Sequence, residues 1–295
     1  MKPPPFAYVA PDSLEEAIAC AARYEADGKI LAGGQSLMPV LNFRLAHPAV
    51  LIDLNRVKDL SGIAPRPEGG LSIGAMTRHR AVEWSDDVRR HCPLMSVAIA
   101  HVGHVQIRNR GTIGGSLSHA DPAAELPAVV LACDAELCVA GPNGSRAIAA
   151  EDFFQGVFTT AIDSGEILTE IRLPPWPGNR RFGFQEINRR HGDFALAGAA
   201  VWLDTEEADR CTAARLVLFG VSETPLRARM AEQYLIGQTI TPARITEAAS
   251  LAIEGFEPTF DIHASAEYRR EVGSVMMRRA LQQAAMSDSN ARPAT

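Results

Sequence analysis

The sequence predicts an α+β protein of two or three subdomains, and three observations carry that prediction. The chain opens on a strand–helix–strand pattern. It holds one proline-dense connection, Pro174-Pro175-Trp176-Pro177-Gly178, and beyond it runs strands first and helices after. Segregated strands and helices mark an α+β domain rather than an alternating one. With 295 residues the chain can bury a substantial core.

The elements follow in order. Ser13 stands three residues before Glu16, a capping-box pattern that starts a helix. Leu14, Ala17, Ile18 and Ala21 fall on one helical face, and Gly28 stops it. Lys29-Ile30-Leu31 re-enters as a short strand, a Gly-Gly segment follows, and Ser36 and Pro39 suit a new helix start. Val50-Leu51-Ile52-Asp53-Leu54 closes this small α/β layer as a β-branched strand. A second unit begins near Leu60 with a strand at 71–75 and an N-cap at Thr77. Helical pattern broken at Pro93 runs to about Ala100, and a second Gly-Gly segment follows. Pro122 suits the first turn of a helix through Leu131, with strands at 135–140 and 166–173. The prolines at 174, 175 and 177 then stop regular structure. Strands are expected at 181–187, 196–203 and 215–219, then two or three amphipathic helices from Arg227 to about Ala285. The expected division is 1–57, 58–177 and 178–287, with a disordered tail at 288–295.

Composition narrows the functional classes. With 46% hydrophobic and 22% charged residues and no low-complexity tract, the chain is not mostly disordered. A formal charge of -6 argues against non-specific nucleic-acid binding, which depends on basic patches. Arg108 and Arg110 are too few to reverse that, and read as solvated or partner-facing charges. Met1-Lys2-Pro3-Pro4-Pro5 lacks a signal-peptide core and no later run suits a membrane span, so a cytoplasmic protein is expected. Cysteines at 20, 92, 133, 138 and 211 are odd in number and scattered, and read as buried thiols. Cys133 and Cys138 share a C-x4-C spacing but lack the C-x2-C that would complete an iron–sulfur motif. His101, His104 and His119 have no companion ligands, so no metal site is expected.

The chemistry concentrates in Ala32-Gly33-Gly34-Gln35-Ser36 and Thr112-Ile113-Gly114-Gly115-Ser116. Glycine reaches φ > 0 and lets a ligand approach the backbone, and successive N–H groups form a concave anion site. A single Gly-Gly pair is equally a tight turn. Two pairs about eighty residues apart, each beside hydroxyl residues, point to a ligand with two phosphates, a dinucleotide. Neither a P-loop nor a G-x-G-x-x-G fingerprint is present.

Ala32-Gly33-Gly34-Gln35-Ser36-Leu37-Met38-Pro39 with Leu51-Ile52-Asp53-Leu54 resembles the first FAD segment of the medium, flavoprotein subunit of the molybdenum hydroxylases. Carbon-monoxide dehydrogenase and bacterial xanthine dehydrogenases form this group. Arg108-Asn109-Arg110-Gly111-Thr112-Ile113-Gly114-Gly115-Ser116-Leu117, with His119-Ala120-Asp121-Pro122 and Glu125-Leu126-Pro127, is similar to its second segment. Gly165-Glu166-Ile167-Leu168-Thr169-Glu170-Ile171 is similar to the strand that closes the flavin domain, and the resemblance covers essentially the whole chain.

The resemblance implies a two-subdomain FAD-binding fold of the vanillyl-alcohol-oxidase (PCMH) type, then an α+β C-terminal domain of the CO-dehydrogenase flavoprotein type. It implies that Ala32 through Ser36, with Leu37, and Thr112 through Ser116 hold the pyrophosphate by backbone N–H and hydroxyl. Asp121 and Glu125 would contact ribityl or ribose hydroxyls, and Leu168 would pack against the flavin or its neighbours. Phe194 stands where relatives often carry tyrosine beside the flavin ring, and reads equally as a core aromatic. No residue need act as acid, base or nucleophile. The implied function is electron transfer from [2Fe-2S] clusters through FAD to an external acceptor. A small iron–sulfur subunit and a large molybdopterin subunit would accompany the chain, as a dimer of heterotrimers. A self-contained flavin oxidase or dehydrogenase and a non-enzymatic nucleotide-binding protein are the alternatives.

Overall fold

Aliphatic runs make the strands and capped amphipathic stretches make the helices. The computed structural model describes residues 2–286, and the tail expected at 288–295 lies outside the described residues. In chain order the elements are β1 (Ala7–Val9), α1 (Leu14–Tyr24), β2 (Gly28–Leu31), α2 (Leu37–Asn42), β3 (Val50–Asp53), β4 (Ile63–Pro65) and β5 (Leu71–Gly74). Next come α3 (His79–Trp84), α4 (Asp86–His91), α5 (Pro93–Ala98), α6 (Val105–Arg110), α7 (Ile113–His119) and α8 (Glu125–Ala132). Then follow β6 (Glu136–Gly141), β7 (Gly144–Ala149), α9 (Ala150–Phe153), β8 (Phe154–Gly156), β9 (Thr159–Thr160) and β10 (Ile167–Leu173). The chain continues as β11 (Arg181–Asn188), β12 (Ala195–Glu206), β13 (Arg210–Phe219), β14 (Leu226–Arg227), α10 (Arg229–Leu235), α11 (Pro242–Leu251) and α12 (Ala266–Met286).

Two compact units divide these elements. The first takes the described residues up to His91, His104–Ala120 and Ala135–Pro174. It holds a parallel sheet in the order β1-β3-β2 and an antiparallel sheet in the order β4-β5-β10-β6-β7. All four residues of β3 are buried, as its central place between two parallel neighbours requires. Helix α1 starts as its capping residues dictate: Ser13 Oγ accepts from the Glu16 amide at 3.2 Å. The Glu16 carboxylate reaches back to the Asp12 amide at 3.0 Å, one residue before the N-cap.

The second unit takes Cys92–Gly103, Asp121–Asp134 and the described chain from Pro175 on. Its sheet is an antiparallel meander, β11-β12-β13-β14, and the first nine residues of β12 are buried. Ala197, Ala199, Val201, Leu216 and Leu218 pack with Ala231, Ala248, Met277, Ala280 and Leu281 from helices α10 to α12. Every residue of α8 is buried, and the Trp202 Nε1–H donates to the Ala132 carbonyl at 2.6 Å.

Several expectations shift. Thr77 is not an N-cap: Arg78 takes that place, and the Thr77 hydroxyl bonds Gly62 instead. Helix α8 starts at Glu125, because Asp121 first makes a turn in which its Oδ1 accepts from the Ala123 amide at 2.9 Å. The hairpin partner β7 leaves little mark in the sequence because Gly144-Ser145-Arg146-Ala147 is an exposed edge with little apolar content. Among the described residues, no helix is long and apolar enough to cross a membrane.

Candidate functional site

Strand β2 ends at Leu31, and the chain turns through Ala32–Ser36 into α2. A side chain at Gly33 would put its Cβ 2.5 Å from the Arg110 carbonyl oxygen and 2.7 Å from Gly111 Cα, so the two glycine-bearing segments touch backbone to backbone. Gly34 holds φ at +74°, where other residues are strained. The carbonyl of Gly33 accepts from Gln35 Nε2 at 3.0 Å, and that of Ala32 accepts from Asn55 Nδ2 at 3.0 Å. With the carbonyls so engaged, the consecutive amides of Gly33, Gly34, Gln35, Ser36 and Leu37 find no acceptor among the described residues. Ser36 occupies the N-cap of α2 without a side-chain capping bond, which leaves its hydroxyl for another acceptor. Five successive unpaired N–H groups and a hydroxyl form a concave donor set suited to a phosphate or diphosphate.

The second segment works differently from the expectation of a donor loop. Gly114 and Gly115 lie in the first turn of α7, whose N-cap is Thr112. The amides of Ile113, Gly114, Gly115 and Ser116 donate to Thr77 O, Ala75 O, Thr112 Oγ1 and Thr112 O at 3.0, 2.8, 3.1 and 3.1 Å. These four N–H groups are therefore spent inside the protein and are not phosphate donors in this conformation. What the segment contributes is space: a Cβ at Gly115 would sit 3.3 Å from Ala32 Cβ and 3.9 Å from the Gly33 nitrogen, at the edge of the amide cluster. The Ser116 hydroxyl has no protein partner among the described residues. Leu168 is buried on β10 and pairs with Val139 just before a bulge.

Two further side chains hold these segments, and neither was read from the sequence. Asn55 Oδ1 accepts from Arg78 Nη2, and Arg78 Nη1 donates to the Arg110 carbonyl. Those partners lie 23 and 32 residues apart in the chain, so no local pattern marks them. Arg108, expected in solvent or facing a partner, is instead buried, with Glu83 carboxylate oxygens 3.0 and 3.2 Å from its guanidinium.

In the second unit, Asp121 and Glu125 stand at the start of the segment that follows α7. Glu125 is buried, and desolvation, with Glu186 and Asp121 nearby, pushes its pKa up to about 8. The shift favours the protonated form, which has an O–H to donate. Glu186 Oε1 lies 3.2 Å from His101 Nδ1 and accepts from Asn188 Nδ2 at 3.1 Å, while its buried Oε2 has no partner among the described residues. Phe194 is 55% exposed, which disposes of the core-aromatic reading. Cys133 Sγ lies 3.6 Å from Cys92 Sγ in this unit, whereas Cys138 is on β6 of the first, and all five cysteines are free thiols.

An unpaired amide cluster at the end of a parallel β-strand, in a chain with a separate helix-covered meander, defines an α+β protein with a turn suited to an anion. Comparison with known proteins makes this specific. Residues 4–176 match the family described as FAD binding domain in molybdopterin dehydrogenase, and residues 182–284 match the CO dehydrogenase flavoprotein C-terminal domain. The chain is 42% identical to 6-hydroxypseudooxynicotine dehydrogenase complex subunit alpha of Paenarthrobacter nicotinovorans, covering 96% of each chain. It is 40% identical to caffeine dehydrogenase subunit beta of a Pseudomonas species, covering 97% of this chain and 96% of that one. The solved carbon monoxide dehydrogenase of Hydrogenophaga pseudoflava superposes with a TM-score of 0.94 at 37% identity, covering 97% of this chain and 99% of that one. The chain belongs to the FAD-binding medium subunits of the molybdenum hydroxylases, the carbon-monoxide dehydrogenase and xanthine dehydrogenase group. Its relatives are named as subunits or medium chains of larger enzymes, which implies companion subunits for this one.

Proposed function

We propose that the first unit holds FAD by its diphosphate at the Gly33–Leu37 amides, and that the chain passes electrons between a partner's [2Fe-2S] clusters and an external acceptor. The five unpaired amides carry this reading, since each hydrogen bond to a charged phosphate contributes about 1.5–3 kcal/mol. When bound, FAD exchanges electrons singly or in pairs, which joins one-electron clusters to a two-electron acceptor. The protein supplies position and electrostatics. Ser36 and Ser116 would donate hydroxyls, and Gly115 leaves room for the phosphates. Asp121 and Glu125 would meet sugar or ribityl hydroxyls, Leu168 would pack near the cofactor, and Phe194 would offer a ring face to the flavin. The functional division is taken at residues 57 and 177. A small iron–sulfur subunit, a large molybdopterin subunit, and their doubling into a dimer of heterotrimers complete the proposal.

The test is direct. The complex purified from native cells is expected to carry FAD, iron and molybdenum, and this chain alone to take up FAD with a flavin absorption spectrum. A colourless chain that cannot be loaded with FAD overturns the flavin site; flavin without iron and molybdenum overturns the partners.

A further inference from the structure

We propose that Asn55 and Arg78 are positioning residues, a brace that aims the first amide of the cluster at the diphosphate. The proposal rests on the flavin reading and concerns how the amide cradle is kept in shape. In a trans peptide the carbonyl of one residue and the N–H of the next point in opposite directions. Asn55 Nδ2 pins the Ala32 carbonyl at 3.0 Å and so turns the Gly33 N–H to the other side of the chain. Gln35 acts alike one peptide further on, because its Nε2 holds the Gly33 carbonyl and aims the Gly34 N–H.

Asn55 needs an orientation of its own, since a side-chain amide presents a donor or an acceptor depending on its flip. Arg78 decides it. A guanidinium only donates, so the Arg78 Nη2 bond to Asn55 Oδ1 forces Nδ2 toward Ala32. The other arm of the fork donates to the Arg110 carbonyl, the atom against which Gly33 packs. One planar side chain thus ties the two glycine segments together and sets the direction of the leading donor. Asp53 Oδ1 anchors the residue twice, accepting from the Asn55 backbone amide at 2.9 Å and from Nδ2. A lysine could not serve both acceptors with the same fixed geometry.

The experiment uses the intact complex, depleted of flavin and titrated with FAD. Asn55→Asp keeps the acceptor for Arg78 and removes the donor to Ala32; Arg78→Ala removes the orienting fork. Each is expected to weaken FAD binding about tenfold or more, the loss of one charge-assisted hydrogen bond. The losses in the double variant should be less than additive, because both side chains act in part through the Ala32–Gly33 peptide. At saturating FAD, the 31P resonances of the bound diphosphate should shift while the visible flavin band and the far-ultraviolet circular dichroism stay unchanged. FAD affinity within threefold of the parent in a folded variant, or fully additive losses, overturns the brace. If the parent complex itself takes no FAD, the flavin reading falls first and the brace with it. Should Asn55→Asp fail to fold, Arg78→Ala carries the same test from the other end.

Discussion

Gly34 at φ +74° turns the chain from β2 into α2. A β-branched side chain there meets a cost of roughly 1–2 kcal/mol in backbone strain. Gly34→Val is expected to keep its far-ultraviolet spectrum and lose more than about nine-tenths of its flavin on gel filtration; full flavin content in the variant refutes that. The glycines were legible in the sequence because only they tolerate these positions. Asn55 and Arg78 were not, since a polar side chain looks like surface until its distant partner is known. His79 was equally hidden. It is buried with both ring nitrogens unpartnered among the described residues, and burial lowers its pKa from 6.5 to about 4. The folded state therefore binds fewer protons than the unfolded chain between these values. Its contribution is complete above pH 6.5, falls as pH drops below that and is gone once pH passes about 4, roughly 3 kcal/mol in all. Urea midpoints measured from pH 7 to pH 4 should show that loss, and His79→Leu should flatten the curve.

Helices α3 and α6 deliver the scaffold for the second glycine segment. The buried Arg108 on α6 meets both carboxylate oxygens of Glu83 on α3, and Arg80 adds a bond to the same group at 2.9 Å. Breaking a buried pair costs about 3–5 kcal/mol, whereas an exposed pair contributes about 0.2–1. The Glu83 carboxylate is only part-buried, so Glu83→Gln is expected to lower stability by less, about 1.5–3 kcal/mol. Asp87→Asn, which loosens the exposed Arg90 contact at 3.7 Å, should change it by less than about 1. Equal urea midpoints for the two variants would contradict this. At this scale the sequence carried much of the pattern: α1, β3, β5, β10 and the late meander follow their apolar periodicity. It misled at Gly114-Gly115, because glycines suggest a loop while the Thr112 cap and the Ala75 and Thr77 carbonyls fix a helical turn. Tertiary acceptors overrode local propensity there.

Across the whole chain, the proline connection at 174–177 is one break between the compact units, yet four more breaks precede it. Residues 92–103 and 121–134 belong with the sheet that begins at Arg181. The Ala132 carbonyl meets Trp202, the Pro122 carbonyl accepts from the Gly220 amide at 2.8 Å, and Asp134 pairs with Arg215 at 3.0 Å. A sequence cannot show this in advance, because each segment is as apolar as any core helix. A fragment ending at Pro174 is thus expected to aggregate or bind hydrophobic dyes, with α5 and α8 stripped of their cover; a monodisperse, dye-silent fragment would show otherwise. The same interleaving bears on biosynthesis. A nascent chain leaves the ribosome with Glu125–Ala132 made long before the strands that shield it, so residues 92–103 and 121–134 must wait for Arg181–Phe219 to emerge. Slow translation past that point, or a shortage of holdase chaperones, should reduce the yield of this subunit more than that of a protein whose domains follow one another in line.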